Sequence, residues 1–383
     1  MQESPFIYGT TVSEHAFTDR EIESLKLQSN LLNGINTTII SPRRWGKSSL
    51  VEKVITDINK KDKTTKTVCI DLFAVDSEEE FLETFAREII KASSSKWEDW
   101  LGTGREFFQK LIPKLSVGVD PNSDFSLSFD WKELIKNSDE VLNLPETIAN
   151  SKKIKFIICL DEFQNLASFK DYLSFEKKMR AYWQRHKSVT YCLYGCKRHM
   201  MTDIFNNPAK PFYRFGDIML LNKIDKQKWV QFICVGFEAT NKHINEKIAE
   251  KIPLLMKNHS WYVQQLSHYI WNLTENEATT TEFNAGLKEL INANYPLYQK
   301  EVENLSQTQL NLLKAVAKSE TQFTSTVVMQ KYALVTPRNV SKNKSILINA
   351  DIIHEIDGKY EFVDPAFELW FNKNYFKQNY TVE

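Results

Sequence analysis

The chain has 383 residues, and its 49 basic residues balance its 49 acidic residues. This neutrality excludes a whole-protein electrostatic attraction to nucleic acids or anionic membranes, although a local basic patch remains possible. With 42% hydrophobic and 26% charged residues, the composition excludes a largely disordered chain, and the length predicts two or three domains. No apolar run is long enough to span a bilayer, and no secretion signal is recognisable. The five cysteines, mostly in apolar runs, predict reduced, buried thiols in a cytoplasmic protein.

Five short apolar or β-branched runs predict an α/β fold with a parallel sheet that is covered by helices on both faces. In chain order, the runs are residues 37–40, 67–73, 154–160, 189–194 and 217–221. The run at 154–160 is almost wholly apolar, as expected of a central strand. The segments between the runs are helical or long, as parallel crossover connections require. An alternating stretch at about 113–133 predicts an inserted hairpin.

From residue 225 onward the pattern is helical and predicts two further domains. Residues 225–302 show the apolar spacing of amphipathic helices and form a predicted helical lid. Residues 303–383 contain three short helical patterns and then two β-like runs joined at Asp357 and Gly358, a strong hairpin signal. Three helices with a two-stranded wing predict a winged helix. The predicted domains are therefore 1–224, 225–302 and 303–383.

The segment after the first strand matches the phosphate-loop pattern G-x-x-x-x-G-K-[ST] at every fixed position except the first. Its residues are Ser41, Pro42, Arg43, Arg44, Trp45, Gly46, Lys47 and Ser48. Such a loop directs backbone N–H groups toward phosphates and continues into a helix. Lys47 would bridge the β- and γ-phosphates, and the Ser48 hydroxyl would ligate Mg²⁺. The alternative, a lysine-serine helix cap on a surface loop, is disfavoured by the flanking strand and helix.

A second motif lies about 115 residues after Lys47, where the apolar run at 154–160 ends in Asp161 and Glu162. This is the Walker B pattern, and its strand is expected to emerge beside the phosphate loop. Asp161 would orient Mg²⁺ and its waters, while Glu162 would polarise the attacking water. An acidic pair that merely ends a buried strand is the alternative for either acid alone. Both motifs in this order predict an ATP site with Mg²⁺-dependent hydrolysis.

These motifs resemble those of the archaeal-type ATPase family, a branch of the AAA+/STAND P-loop ATPases, over nearly the whole chain. The resemblance begins at Phe17-Thr18-Asp19-Arg20-Glu21, includes Arg43-Arg44 and the G-K-S-S-L run through Ser49, and continues at Asp161-Glu162-Phe163-Gln164. It implies that Arg20 lies near the adenine and that Gln164 positions water or senses the nucleotide state. Thr18 and Glu21 equally fit a capping box, and Gln164 equally fits a helix start.

Three further segments resemble the family. Tyr194-Gly195-Cys196 resembles the sensor-1 strand end, with Cys196 in place of the usual serine. Pro211-Phe212-Tyr213-Arg214 resembles P-[LF]-Y-x-R and implies that Arg214 senses or stabilises the γ-phosphate. Arg198 is the runner-up, and a solvated surface arginine is the alternative for both. The segment from Asn258 to Leu266 resembles the lid element G-x-P-Y-Y-x-Q-x-L, with Asn258 and Ser260 at the glycine and proline positions.

The winged helix carries the local charge that the whole chain lacks. Residues 305–350 contain six basic residues and one acid. Thr336 and Pro337 start a predicted recognition helix whose Arg338, Lys342 and Asn343 suit phosphate and base-edge contacts. One hypothesis is an ATPase switch that acts on DNA through this helix. The other is a nucleotide-gated protein-interaction or signalling module with little turnover and no DNA binding. Either allows a homo-oligomer or a client protein.

Overall fold

The computed structural model describes residues 3–11, 17–93, 116–120, 123–128, 138–356 and 358–378. The chain packs as two compact units. The sheet unit comprises Arg20–Arg43 and Lys47–Asn222, and the helical unit comprises Met1–Asp19, Arg44–Gly46 and Lys223–Glu383. The segments predicted as lid and winged helix lie together in the helical unit.

The sheet unit contains a five-stranded sheet, its helices and a separate hairpin. Its elements are α1 (Glu21–Leu32), β1 (Thr37–Ile40), α2 (Lys47–Lys61), β2 (Thr65–Asp71), α3 (Glu78–Ser93), β3 (Ser116–Asp120), β4 (Ser123–Ser128), α4 (Ser138–Lys152), β5 (Lys155–Asp161), a 3₁₀ helix (Phe163–Ser168), α5 (Tyr172–Trp183), β6 (Val189–Gly195), α6 (Arg198–Asn206) and β7 (Asp217–Leu220). All five predicted sheet strands are present. The predicted hairpin is also present, because β3 and β4 pair in antiparallel fashion.

The five strands pair in parallel in the order β2-β5-β6-β1-β7. The Walker B strand β5 is therefore separated from β1 by β6. The register pairs Ile40 with Gly195 and Leu160 with Leu193. The carboxyl ends of β1, β5 and β6 consequently meet at one edge of the sheet, where open α/β sheets bind their ligands.

The centre of the sheet is buried on both faces, as the apolar run predicted. Residues 156–160 of β5 and all of β6 are buried, and Trp183 of α5 stacks on Tyr191 with ring centroids 4.2 Å apart. All five cysteines are free. Cys159 and Cys192 are buried, but Cys69 is exposed because β2 is an edge strand, so the prediction of burial is wrong there.

The helical unit contains the remaining elements. They are α7 (Lys226–Glu238), β8 (His243–Ile244), α8 (Glu246–Leu255), α9 (Ser260–Leu273), β9 (Glu277–Ala278), α10 (Thr280–Glu303), α11 (Gln307–Ala317), α12 (Thr326–Lys331), α13 (Pro337–Asn349), β10 (Ile353–Ile356), β11 (Lys359–Phe362) and α14 (Pro365–Phe376). Among the described residues, no helix is both long and apolar enough to cross a membrane.

The predicted winged helix is formed by α11, α12, α13 and the antiparallel pair β10–β11. Gly358 has a φ of 77°, as a tight hairpin turn requires, and Asp357 lies outside the described residues. Asp364 caps α14 by accepting hydrogen bonds from the backbone N–H groups of Ala366 and Phe367, at 2.8 and 2.9 Å. Its carboxylate also accepts hydrogen bonds from the hydroxyl groups of Tyr262 and Tyr298. The start of the last helix is thus tied to α9 and α10.

Candidate nucleotide-binding site

The phosphate loop leaves β1 and enters α2 at Lys47. Ser41 is fully buried and does not have a positive φ, so its backbone does not need the glycine that the motif places there. The left-handed positions of the loop are Arg44, with a φ of 64°, and Gly46, with a φ of 90°. The first turn of α2 has no acidic residue. Its N-terminal N–H groups therefore offer a positive dipole end to an anion.

Lys47 joins the two motifs. Its ammonium Nζ lies 3.0 Å from Oε1 of Glu162 and 3.3 Å from Oδ1 of Asp161. Burial disfavours the charged ammonium, but the two carboxylates outweigh burial and raise the pKa of Lys47. Burial also raises the pKa of Asp161, against the opposing effect of Lys47. The site therefore holds a protonated lysine beside two acids.

Ser48 and Asp161 form the second link. The Ser48 hydroxyl donates to Oδ2 of Asp161 over 2.8 Å. These are hard oxygen ligands of the kind that Mg²⁺ prefers. No group of three or more His, Cys, Asp or Glu side chains in the described residues could hold a metal alone. The pair accordingly fits a Mg²⁺ that takes most of its ligands from phosphates and water.

Glu162 is held by its neighbours in a strained backbone conformation. Its φ is 51°, which is unfavourable for a non-glycine residue. Gln164 Nε2 donates to its Oε2 over 2.5 Å, and the Cys196 thiol also donates to it. Burial would raise the pKa of Glu162, but Lys47, Gln164 and Cys196 together lower it. The carboxylate is therefore ionised, and its contacts with Lys47 and Gln164 hold it in place.

Gln164 is itself fixed by packing. It is 1% exposed, and its Oε1 has no hydrogen-bond partner among the described residues. A Cβ on Gly195 would lie 1.9 Å from that oxygen. Gly195 is thus needed because the Gln164 amide occupies the space beside it. Gln164 lies in the first turn of a 3₁₀ helix, as one alternative held, and it also contacts the predicted catalytic acid, whereas its role toward water or the nucleotide stays a prediction.

The comparisons with known proteins concern the fold. A family model described as a probable winged helix domain matches residues 296–373. No curated protein matches the chain. A Walker-type ATPase of Pyrococcus abyssi superposes with a TM-score of 0.65 at 19% identity, over 96% of this chain and 99% of that chain. The ORC2 protein of Aeropyrum pernix, solved as ADPNP–ADP complexes, gives a TM-score of 0.58 at 12% identity, over 94% and 95%.

The chain has the fold of the Walker-type ATPases. The predicted P-loop ATPase fold and the C-terminal winged helix are therefore confirmed. Within this Walker-type fold, Lys47, Ser48, Asp161 and Glu162 lie together as the two motifs predicted. Pro42 and Ser49 are buried at the two ends of the loop, and Arg43 is exposed.

Two residues of the Walker loop pack within the helical unit. The Arg44 guanidinium lies 4.4 Å from the ring centroid of Trp261 in α9. The Lys223 ammonium lies 5.4 Å from the ring centroid of Trp45, and burial lowers the pKa of Lys223. Sequence reasoning missed Lys223, because a single lysine between two elements carries no motif. Asn258 has a φ of 57°, a left-handed conformation that glycine adopts without strain. This accounts for the glycine that the lid motif G-x-P-Y-Y-x-Q-x-L has at the position of Asn258.

Arg20 is buried, and its guanidinium is hydrogen-bonded within the sheet unit. It is 3% exposed, and its guanidinium donates to Oε1 of Glu23 over 2.8 Å and to the carbonyl of Asn222 over 2.6 Å. These contacts anchor the start of α1 to the end of the sheet unit. The structure therefore gives Arg20 a packing role, and its position near the adenine stays a prediction.

The two candidate arginines are both exposed. Arg214 has a φ of 50°, and its guanidinium lies 5.2 Å from the ring of Tyr213. No hydrogen bond or ion pair in the described part of the chain joins it to Lys47, Asp161 or Glu162. Arg198 starts α6, two residues after Cys196 at the site edge of the sheet. The structure brings neither arginine into contact with the Walker residues.

Of the three residues of α13 that were predicted to contact DNA, two are exposed and one is buried. Arg338 and Lys342 are exposed, and Thr336 caps the helix by accepting from the Asn339 N–H over 3.1 Å. Asn343 is 5% exposed and donates to Oδ1 of Asn339 over 2.8 Å. Asn343 is therefore a core residue of the winged helix, and its predicted contact with a base edge is wrong.

Proposed function

We propose that the protein binds ATP with Mg²⁺ and hydrolyses it slowly, as a conformational switch. The observation that carries this proposal is the Walker cluster, in which Lys47 contacts Asp161 and Glu162 while Ser48 contacts Asp161. Membership of the archaeal-type ATPase family is part of the proposal. It is supported by the shared fold and by the motifs that the sequence carries. The Aeropyrum ORC2 structure, which has the same fold, contains ADPNP and ADP.

Each residue has a definable chemical task. The Lys47 ammonium would stabilise negative charge on the β- and γ-phosphates, together with the N–H groups at the start of α2. Glu162 would accept the proton of the attacking water, because it is ionised and buried beside Lys47. Ser48 and Asp161 would hold Mg²⁺, which supplies electrophilic stabilisation of phosphate oxygens when bound. Gln164 and Cys196 would position Glu162.

The ion pair between Lys47 and Glu162 supports a switch with slow turnover. Phosphates that bind Lys47 compete with Glu162 for the same ammonium. Glu162 is then released from Lys47, but the hydrogen bond from Gln164 still restrains it. A carboxylate that is restrained in this way reaches an attacking water less readily, and general-base catalysis depends on that reach. We therefore expect binding to change the site strongly and hydrolysis to follow slowly.

Nucleotide binding is tested with Lys47→Ala and a fluorescent ATP analogue. We expect binding to be lost, whereas the matched control Lys53→Ala, which changes a half-buried lysine of the same helix that pairs with Asp57, should bind as the wild type does. Affinity near wild type in Lys47→Ala would refute the assignment of the loop. Glu162→Gln should retain ATP binding and lose about a hundredfold or more in turnover, as expected when a positioned base is removed. Persistent turnover would show that another group aligns the water.

The arginine that stabilises the γ-phosphate is proposed to be Arg214, with Arg198 as the second candidate. Both are exposed, so either can act within one chain or across an interface between two copies. Turnover of Arg214→Ala and Arg198→Ala decides between them, because the variant of the acting arginine loses turnover and retains ATP binding. Light scattering with and without ATP then shows whether a homo-oligomer supplies it. The cytoplasmic location remains a prediction.

DNA is the proposed partner of the winged helix, through the exposed Arg338 and Lys342 of α13. Lys359 in β11 is also exposed, which adds positive charge on the wing. Arg338→Glu combined with Lys342→Glu should abolish salt-dependent binding to duplex DNA. An absence of DNA binding at any salt concentration, together with ATP-dependent association with itself or a client, would favour the protein-interaction module instead.

A further inference from the structure

The winged helix contains a groove of about 660 Å³ that is separate from its recognition helix. Three lysines and three aromatic side chains contribute to its lining: Lys314, Lys318, Lys331, Tyr332, Tyr375 and Phe376. They come from α11, the ends of α12 and α14, and the residues that follow the first two helices. We call this surface the lysine groove. Its volume is in the range of pockets that enclose a small ligand or a few side chains.

The charge of the lysine groove is largely uncompensated. Lys331 forms an ion pair with Glu320 at 2.8 Å, and this hydrogen bond lowers the pKa of Glu320. Within the described residues, no ion pair joins a carboxylate to Lys314 or Lys318. Lys318 is exposed and Lys314 is half-buried. The groove therefore presents two ammonium groups that lack an acidic partner in this part of the chain.

Aromatic rings hold these two ammonium groups in place. Lys314 Nζ lies 5.2 Å from the ring centroid of Tyr375, and Lys318 Nζ lies 3.9 Å from that of Phe376. A free lysine loses about 2 kcal/mol of side-chain entropy when it is fixed. Contacts of this cation–π type order the side chains before a ligand arrives, so less entropy is lost on binding. The groove is thus organised in advance for an anion.

The shape of the groove favours a peptide over a nucleic acid. Duplex DNA is read by an element that protrudes into its grooves, such as a helix, whereas this surface is concave. Single-stranded nucleic acid binds by stacking bases on aromatic faces. Here the lysines lie over the rings of Tyr375 and Phe376, so stacked bases would have to displace them. Carboxylates can pair with the ammonium groups where they already lie.

We propose that the lysine groove binds an extended acidic segment of a partner protein. Two carboxylates of the segment would pair with Lys314 and Lys318 where these ammonium groups already lie over the rings of Tyr375 and Phe376. This site is independent of the nucleotide site, so the proposed ATP binding can fail without affecting it. Likewise, a failure at the groove leaves the assignment of Lys47 untouched.

The test uses fluorescence anisotropy with the full chain. The probe is a fluorescein-labelled peptide in which glutamates alternate with alanines. Lys314→Glu with Lys318→Glu removes the two free charges of the groove. The matched control, Lys342→Glu with Lys359→Glu, makes the same change of charge on the proposed DNA-binding surface of the winged helix. Lys318→Gln, which keeps most of the side chain, guards against misfolding of the double variant.

We expect the peptide to bind the wild type, more weakly at higher salt, and not to bind when its glutamates are replaced by glutamines. The groove double variant should lose at least about tenfold in affinity, Lys318→Gln about threefold, and the control double variant less than about twofold. Equal losses in both double variants, or no binding by the wild type at low salt, would overturn the proposal. Tighter binding of an oligothymidylate that is lost in the groove variant would also overturn it, in favour of single-stranded nucleic acid.

Discussion

The fit between Gly195 and Gln164 makes a prediction that can be worked out from distances. In Gly195→Ala, the new Cβ would lie 1.9 Å from Gln164 Oε1, 3.1 Å from its Cδ and 2.8 Å from Sδ of Met201. The thioether of Met201 is flexible, but the buried Gln164 amide can only leave by breaking its hydrogen bond to Glu162. Overpacking costs about 1–3 kcal/mol, and a lost hydrogen bond to a charged group about 1.5–3 kcal/mol. We expect destabilisation of about 2.5–6 kcal/mol.

The assay is urea denaturation of the wild type, Gly195→Ala, Gln164→Ala and the double variant. Because Gln164→Ala removes the obstructing amide, Gly195→Ala should cost no more than about 1 kcal/mol in that background. The two substitutions should therefore show a coupling of at least about 1.5 kcal/mol. Costs that add within about 0.5 kcal/mol would refute the reasoning, since contacting residues couple and independent ones do not. Loss of the Gln164 hydrogen bond should also raise the pKa of Glu162 and move the acidic limb of the turnover profile to higher pH.

Three further predictions concern buried polar residues. Burial raises the pKa of Glu176 to about 7, so the folded protein holds this proton more tightly than the unfolded chain and its stability falls as pH rises from about 5 to about 8. Glu176→Gln should remove about 3 kcal/mol of the change in unfolding free energy between about pH 5 and about pH 8, as measured by urea titrations. An unchanged pH dependence of the unfolding free energy would contradict this prediction. Asp364→Asn should destabilise the protein by about 2–3 kcal/mol, because it weakens both the helix cap and the hydrogen bonds from the tyrosines. Tyr298→Phe should cost about 1 kcal/mol, and equal costs of the two substitutions would argue against the cap. Asn343→Ala should lower the melting temperature and leave DNA affinity unchanged, and weaker DNA binding in a fully folded variant would return Asn343 to the interface.

The parts of the fold that depend on local patterns could be predicted from the sequence. The strands lie close to their predicted ranges, because runs of buried β-branched residues leave little choice of conformation. The order of the strands could not be predicted in the same way. That β6 lies between β1 and β5 depends on which crossover packs against which strand, and no single run of residues encodes it. The Walker residues nevertheless meet, since all three strands end at the same edge of the sheet.

Arg20 and Asn343 are both buried, but only one of these burials could be predicted from the sequence. The carbonyl that accepts from Arg20 belongs to Asn222, which is 202 residues away in the chain, so no local pattern could reveal it. Asn343 could have been placed correctly. Val340, Asn343 and Leu347 are all buried, and their spacing of three and four residues marks one face of a helix. Residue type suggested a base contact, but helical spacing already placed the side chain in the core.

The same comparison explains why the acidic pair was easier to predict than the arginines. A carboxylate at the end of a buried strand has few directions in which to point, and Lys47 at the start of α2 must lie opposite it once the strands are parallel. Arg214 and Arg198 are long, exposed side chains whose partners are set by a ligand or by another molecule. For such residues the fold fixes the backbone but not the contact. The turnover of their alanine variants is therefore what decides which arginine acts on the γ-phosphate.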